Sequence, residues 1–241
     1  MKGMIFAAGM GTRLRPITDT CPKCLIEVGG KPMLHRVIEN MRDAGVESVV
    51  VNVHHHAGLV KDYIATRDFG IEVAVSDESA RLLDTGGGIV RAAPLLAGAD
   101  TVMVHNADVW TDVPLAEMAD VHRRSGADVT LLTRDKASGR ALMWSGDGRM
   151  AGWADLCTGA TRPDGLDTTQ LHAAGFGGVH VMKWSVIERI ADYAPSDVFS
   201  ITPFYADCCG SLDIRRFGVG QWRWIDIGRP ESLAQARAQT V

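Results

Sequence analysis

Apolar positions along the chain follow two alternating rhythms. Short, mostly apolar runs predict strands: Met4-Ile5-Phe6, Val49-Val50-Val51-Asn52-Val53, Ile71-Glu72-Val73-Ala74-Val75, Thr101-Val102-Met103-Val104-His105 and Val129-Thr130-Leu131-Leu132-Thr133. Their near-continuous hydrophobicity suits strands covered on both faces. Between them, apolar residues recur at helical spacing. The sets are Met33, Leu34, Val37, Ile38, Met41; Leu59, Val60, Tyr63, Ile64; Ile89, Val90, Ala93; and Leu115, Met118, Ala119, His122. Each forms one stripe on one helix face. Pro32 suits the first turn of the first helix, and Gly45 suits its end. Strand and helix in alternation predict an α/β, Rossmann-like fold, with a mostly parallel central sheet and helices on both faces.

The second half is less regular. Residues 145–172 hold few periodic apolar positions and several turn residues, which predicts a β-rich or loop insertion. Ala174 to Met182 reads as a return to the sheet. Trp184 to Ile190 and Ser200 to Cys209 read as helices, Trp222 to Gly228 as a strand ending at a glycine, and Pro230 to Arg237 as a final helix. No internal repeat, low-complexity tract or Pro/Ser-rich linker divides the chain, so residues 1–241 are expected to form one domain.

Composition narrows the function classes. The 241 residues are 46% hydrophobic and 22% charged, with a net charge of -4. That balance points away from nucleic acid and anionic membranes as partners. No apolar run is long enough to span a bilayer, and no leader pattern precedes the first strand, so a cytoplasmic protein is expected. Five cysteines, an odd number, suit a reducing compartment. Cys21-Pro-Lys-Cys24 lacks the second pair a zinc site needs, and Pro22 interrupts it, so it is read as structural. His54-His55-His56 is expected to shape a loop, because adjacent residues on extended chain face opposite ways.

The chemistry concentrates in Phe6-Ala-Ala-Gly-Met-Gly-Thr-Arg-Leu-Arg-Pro16, followed by Pro22-Lys23. A strand that stops at a glycine-rich turn and then presents two arginines and a lysine is suited to phosphate. Glycines let backbone amides approach the anion, and the cations neutralise it. The turn is neither of two commoner phosphate loops: the third glycine of a dinucleotide fingerprint is replaced by Leu14, and no Gly-Lys-Ser/Thr follows.

The pattern resembles the signature of the sugar-1-phosphate nucleotidyltransferases. Leu83-Asp-Thr-Gly-Gly-Gly88 resembles that family's second nucleotide segment, and His105-Asn-Ala-Asp108 its strand-end aspartate, with Ala107 where a glycine is usual. Phe176-Gly-Gly-Val179 resembles the segment that touches the sugar phosphate, and Trp224-Ile-Asp226-Ile-Gly228 the tryptophan-x-aspartate-x-glycine element. The resemblance implies a GT-A-like fold with a small sugar-binding insertion, a nucleotide-binding half over 1–135 and a sugar-phosphate half over 136–241. It implies Arg13 and Lys23 as catalytic residues and Asp108 and Asp226 as Mg²⁺ ligands. Ala7, Ala8, Gly9, Gly11, Thr12, Ser76, Thr85, Gly86 and Gly87 are implied at the nucleotide, and Asn106, Asp155 and Gly178 at the sugar phosphate. Asp112 reads as a cap for the following helix. Arg15 either helps at the phosphates or pairs with a surface acid. Besides Ala107, two elements depart from the family. Pro-Lys-Pro is Pro-Lys-Cys here, which removes one constraint on the backbone at position 24. The Glu-Lys-Pro element is absent, leaving Trp153 and Asp155 of Gly152-Trp-Ala-Asp155 as sugar candidates.

The implied reaction has the sugar phosphate attack the α-phosphorus of a nucleoside triphosphate, with pyrophosphate leaving. The nucleophile is already anionic, so positioning and charge neutralisation suffice. The segments are most similar to N-acetylmuramate-1-phosphate uridylyltransferases, and mannose-1-phosphate guanylyltransferases share the framework. UTP with N-acetylmuramate 1-phosphate is the expectation. GTP with mannose 1-phosphate, a cytidylyltransferase for a small alcohol phosphate, a non-catalytic nucleotide-sugar-binding domain and a dinucleotide-binding oxidoreductase stay open beside it.

Overall fold

A computed structural model describes residues 1–135 and 139–239. In chain order the elements are β1 (Lys2–Phe6), β2 (Glu27–Val28), β3 (Lys31–Pro32), α1 (Met33–Asp43), β4 (Ser48–Val53), α2 (Ala57–Ala65), β5 (Glu72–Asp77) and α3 (Asp84–Leu96). There follow β6 (Thr101–Asn106), β7 (Val109–Thr111), α4 (Leu115–Ser125), β8 (Val129–Arg134), β9 (Arg140–Trp144), β10 (Met150–Asp155) and β11 (Thr161–Arg162). The last are β12 (His172–Lys183), α5 (Trp184–Tyr193), α6 (Ile201–Cys208), β13 (Ile214–Gly218), β14 (Trp224–Asp226) and α7 (Pro230–Ala238).

The central sheet runs β5-β4-β1-β6-β12-β8-β13. Its β1–β4, β1–β6, β4–β5 and β8–β13 pairs are parallel, and β12 alone runs against its neighbours β6 and β8. The central sheet is thus mostly parallel. The start of β12, His172–Ala174, pairs instead with β9, and β10 and β11 extend that antiparallel wing. The wing covers the stretch expected as a β-rich insertion. The boundary expected between 135 and 136 abuts residues 136–138, which lie outside the described residues.

Alternation along the strands divides the core by face. Met4, Val50, Val102 and Val104 pack with Ile89 and Leu96 of α3, Ile187 of α5 and Phe204 of α6. Ile5, Val49, Val51 and Met103 pack with Val37 of α1, Val60 of α2 and Met118 of α4. A separate cluster joins Leu14, Ile26 and Met33 to Trp110, Ile225, Ile227 and Leu233. It supports the short antiparallel β7–β14 pair beyond the end of the main sheet. Pro32 is the N-cap of α1 rather than a first-turn residue. No helix among the described residues is long and apolar enough to cross a membrane.

Three histidines are buried within this framework. His105 bonds the Asn106 carbonyl at 2.8 Å, His122 the Thr130 hydroxyl at 2.9 Å, and His180 the Tyr205 hydroxyl. Burial lowers His105 and His122 to about 4 and His180 to about 3, from the usual 6.5. Below pH 6.5 the unfolded chain takes up protons that the folded chain refuses until about pH 4. Stability is therefore full above pH 6.5 and drains as pH falls, by about 1.4 kcal/mol per pH unit for each fully titrating histidine. Urea denaturation should show a marked fall in the midpoint between pH 7 and pH 4.5. A flat profile over that window would show that these side chains are not buried neutral.

Candidate active site

The glycine-rich turn is tied to the sheet at its root. Beyond β1, the Ala7 amide donates to Asn52 Oδ1 at 2.8 Å. Asn52 Nδ2 donates to Glu78 Oε1 at 2.8 Å, and Glu78 Oε2 accepts from the Leu83 amide at 3.1 Å. His54 Nδ1 donates to the Glu78 carbonyl at 2.7 Å. Glu78 is only 3% exposed, and desolvation raises its carboxyl pKa against the pull of those bonds. One buried acid thus binds the ends of β4 and β5 to the loop before α3. A Cβ on Gly88 would meet Asn52 and Glu78 at 3.0–3.1 Å, so α3 approaches this closely only because that residue is glycine.

Gly11, at φ +63, turns the loop back, and the Thr18 hydroxyl donates to its carbonyl at 2.9 Å. Thr12–Leu14 then make a 3₁₀ turn. A later 3₁₀ turn, Lys23–Leu25, fixes the lysine: Leu25 N–H bonds the Pro22 carbonyl at 2.8 Å and Ile26 N–H the Lys23 carbonyl at 3.2 Å. The cysteine at position 24 therefore leaves no loose backbone. Its side chain is buried and its thiol is pushed up to about 12 by desolvation, so Cys24 supplies no thiolate. Cys21 is also raised by burial.

The Lys23 ammonium contacts the Asp108 carboxylate and lies 3.8 Å from Asp226 Oδ1. Asp108 stands in the turn between β6 and β7. Asp226 ends β14, which pairs with β7 in the register Asp226–Val109. The Ile227 amide bonds the Asp108 carbonyl at 3.0 Å, and the Gly228 amide donates to Asp226 Oδ1 at 2.7 Å. A Cβ on Gly228 would come within 2.6 Å of Lys23 Nζ, 2.8 Å of Arg13 Nη2 and 2.8 Å of Asp226 Oδ1. Four charged side chains thus converge on one point.

That point opens into a cavity of about 400 Å³, which Gly9, Gly11, Thr12, Arg13, Lys23 and Asp108 help to line. A neighbouring cavity of about 460 Å³ shares Phe6, Gly9, Leu82 and Asp108 with it, and Ala8, Asn52, Thr85 and Asn106 also line it. Asp84, at φ 59, belongs to its wall. No group of three or more His, Cys, Asp or Glu side chains is gathered for a metal among the described residues. Two carboxylates converging on one cation are nonetheless a hard-oxygen set that fits Mg²⁺, with water and phosphate oxygens completing the shell.

Other expected residues sit differently. Ser76 is 3% exposed, near the end of β5 beside Asn52, and lines neither cavity. Gly86 and Gly87 face Phe199 and the Asp197 backbone, and both amides bond the Phe199 carbonyl, so these glycines serve helix packing instead of facing a base or ribose. Gly178, at φ +76, lies against the Asn106 side chain. The Asp155 carboxylate accepts from the amides of Cys157 and Thr158 and closes a turn at the end of β10. Asp112 is not a helix cap: it bonds the Arg223 amide at 2.7 Å and its guanidinium at 3.3 Å. Arg15 pairs with the surface acid Asp19. His55 and His56 bond the Thr18 carbonyl, which suits a loop-shaping role.

One cation carried no motif. Arg134, ending β8, stacks its guanidinium 3.8 Å over the Trp224 ring, and Trp224 Nε1 donates to the Gly177 carbonyl at 2.7 Å. Arg134 Nε is buried without a hydrogen-bond partner. Desolvation lowers the Arg134 pKa, partly offset by the Asp226 charge.

The model of a family described as nucleotidyl transferase matches residues 2–141, more than half of the chain. The chain belongs to this family. It is 31% identical to the N-acetylmuramate alpha-1-phosphate uridylyltransferase of Caulobacter vibrioides, covering 98% of this chain and 95% of that protein. It is 27% identical to the mannose-1-phosphate guanyltransferase of Yarrowia lipolytica over 97% of this chain, and spans 62% of that protein's length. In fold it is similar to a putative glucose-1-phosphate thymidylyltransferase from Bacillus anthracis, with a TM-score of 0.83 at 17% identity over 100% of this chain and 95% of that one.

Within this nucleotidyl transferase, Gly228 is the position where a single methyl group tests the convergence. Gly228→Ala should weaken nucleotide binding at least about tenfold, equivalent to about 1.4 kcal/mol, while thermal unfolding shifts by only a few degrees. Calorimetric titration checks this. Unchanged affinity would mean that the phosphates do not reach the charged cluster.

Proposed function

We propose that the chain transfers a nucleotidyl group from a nucleoside triphosphate to a sugar 1-phosphate and releases pyrophosphate, with UTP and N-acetylmuramate 1-phosphate as its substrates. The convergence of Arg13, Lys23, Asp108 and Asp226 beside the Gly9–Gly11 turn carries this assignment. The name of the Caulobacter relative, matched over nearly its whole length, supports the choice of substrates. The chain acts as one unit, with residues 1–135 as the nucleotide-binding half and 136–241 as the sugar-phosphate-binding half, and with Lys23 and Arg134 of the first half reaching across to the sugar phosphate.

An oxygen of the sugar phosphate attacks the α-phosphorus, the new O–P bond forms, and the bond to pyrophosphate breaks. The nucleophile is already ionised, so no side chain needs to remove a proton. The obstacle is repulsion between two polyanions. Arg13 and the amides of Gly9 and Gly11 hold the triphosphate. Lys23, aimed by its own 3₁₀ turn, lies between the sugar phosphate and the α-phosphate. Arg134, held flat on Trp224, takes the sugar phosphate in place of the missing Glu-Lys-Pro lysine. Asp108 and Asp226 would hold Mg²⁺, which supplies positive charge against the phosphates when bound.

Pyrophosphate release should be measured with Mg²⁺ over a grid of UTP, GTP, CTP and dTTP against N-acetylmuramate, mannose, glucose and N-acetylglucosamine 1-phosphates. A dominant UTP and N-acetylmuramate signal is expected. A dominant GTP and mannose signal would replace the substrates, and a blank grid from folded, nucleotide-binding protein would point to a binding domain or to a non-sugar acceptor such as a small alcohol phosphate. Lys23→Ala, Asp108→Ala and Asp226→Ala should each lower turnover by about 10²–10⁴ without unfolding the protein. Arg134→Gln should raise the KM of the sugar phosphate well above its effect on the KM of UTP. Near-normal kinetics in any of the four would remove that residue from the mechanism.

A further inference from the structure

A third cavity, of about 530 Å³, lies under the antiparallel wing and is covered by α6. It adjoins the nucleotide side through two segments. Phe176 lines it, and two residues on Gly178 lies against Asn106, which lines the neighbouring cavity. Ser200 lines it, and Val198 lines that same neighbour. Its walls combine the aromatic rings of Trp153 and Phe176 with the hydroxyls of Ser200 and Thr202, a mixture suited to a sugar ring with apolar faces and polar edges.

Two arginines complete it, Arg140 from β9 and Arg162 from β11. Arg162 is held through its Nε, and the exposed Arg140 lies within ion-pair reach of an acid. Arg162 Nε lies 3.2 Å from Asp207 Oδ1, while Asp207 Oδ2 accepts from the Tyr193 hydroxyl at 2.6 Å. Arg140 Nε lies 4.0 Å from Asp155 Oδ2, and Asp155 is itself pinned by two backbone amides. A guanidinium held by Nε keeps its two Nη groups available as a fork, the geometry that receives a carboxylate with two parallel hydrogen bonds. A neutral hexose offers hydroxyl acceptors but no negative charge to pair with two guanidinium groups.

We propose that this cavity seats the sugar ring and that Arg140 and Arg162 bind a carboxylate carried on it, making the enzyme selective for acidic sugar 1-phosphates. The proposal rests on the sugar-1-phosphate nucleotidyltransferase function above and names the residues that choose its acceptor. Arg140 and Arg162 are specificity residues, lining a different cavity from Arg13, Lys23 and Asp108. Asp155 acts on the sugar through Arg140, which gives this acid an orienting task.

The test compares kcat/KM, with UTP saturating, for N-acetylmuramate 1-phosphate, for N-acetylglucosamine 1-phosphate (the same ring without the carboxylate-bearing ether) and for glucuronate 1-phosphate. The wild type should favour N-acetylmuramate 1-phosphate over N-acetylglucosamine 1-phosphate by at least about 10²-fold, as expected when charge-assisted hydrogen bonds to a carboxylate are lost. In Arg140→Gln/Arg162→Gln that ratio should collapse by at least about thirtyfold, chiefly through KM, with UTP binding by calorimetry as the check on folding. Arg162→Lys, which keeps the charge on Asp207 but not the fork, should lose an intermediate part of the ratio. Preference for glucuronate 1-phosphate, collapsing in the same variants, would support the carboxylate forks and place the acid on the ring itself. An unchanged ratio in the double variant would overturn the proposal while leaving the transferase function standing. No turnover of any sugar phosphate by the wild type would overturn the transferase function instead.

Discussion

The site depends on one ammonium group held between two carboxylates. Asp108 and Asp226 reach the same point from strands that meet only in the folded chain, and Lys23 is the cation between them. Two like charges about 4 Å apart cost several kcal/mol at a protein surface, and a single cation between them reverses the sign. The ammonium is mostly sequestered, at 11% exposure, so an uncompensated lysine there would be costly as well. The surrounding architecture serves this arrangement. The β7–β14 pair brings in both acids, the cluster around Trp110, Ile225 and Leu233 anchors that pair, and the 3₁₀ turn at Pro22-Lys23 aims the lysine.

Glycine is used in two physically different ways around this centre. Gly9 has open space where a Cβ would stand, and that space is part of the cavity. Gly228 has the charged groups themselves where a Cβ would stand. The Gly86-Gly87-Gly88 run instead lets α3 pack against Phe199, Asp197, Asn52 and Glu78. A glycine run in sequence signals close approach, and only the fold says whether a ligand or the protein itself makes that approach.

Most of the fold was legible because the central strands are hydrophobic on both faces. β4, β6 and β8 announce themselves as mostly apolar runs. β13 did not, because it is an edge strand carrying Arg215 and Arg216, which pair with Asp213 and Asp135; such charges guard an exposed edge and erase the apolar signal. Within the site, Lys23, Arg13 and both aspartates stood in recognisable local patterns. Arg134 and Glu78 did not. Their meaning comes from Trp224, Asn52 and Leu83, partners brought to them by the sheet and by the loop before α3. The acid pair Asp155 and Asp112 was visible, but its partners Arg140 and Arg223 are set by tertiary contacts that no short window contains.

The central claim is that the Lys23–Asp108–Asp226 cluster is where a divalent cation and the substrate phosphates meet. The most direct measurement is UTP affinity, by calorimetry, as a function of Mg²⁺ concentration in the wild type and in Asp226→Asn. The account predicts that Mg²⁺ tightens UTP binding at least about tenfold in the wild type and that Asp226→Asn abolishes most of that gain. Equal Mg²⁺ dependence in both proteins would contradict it and move the cation to another part of the chain.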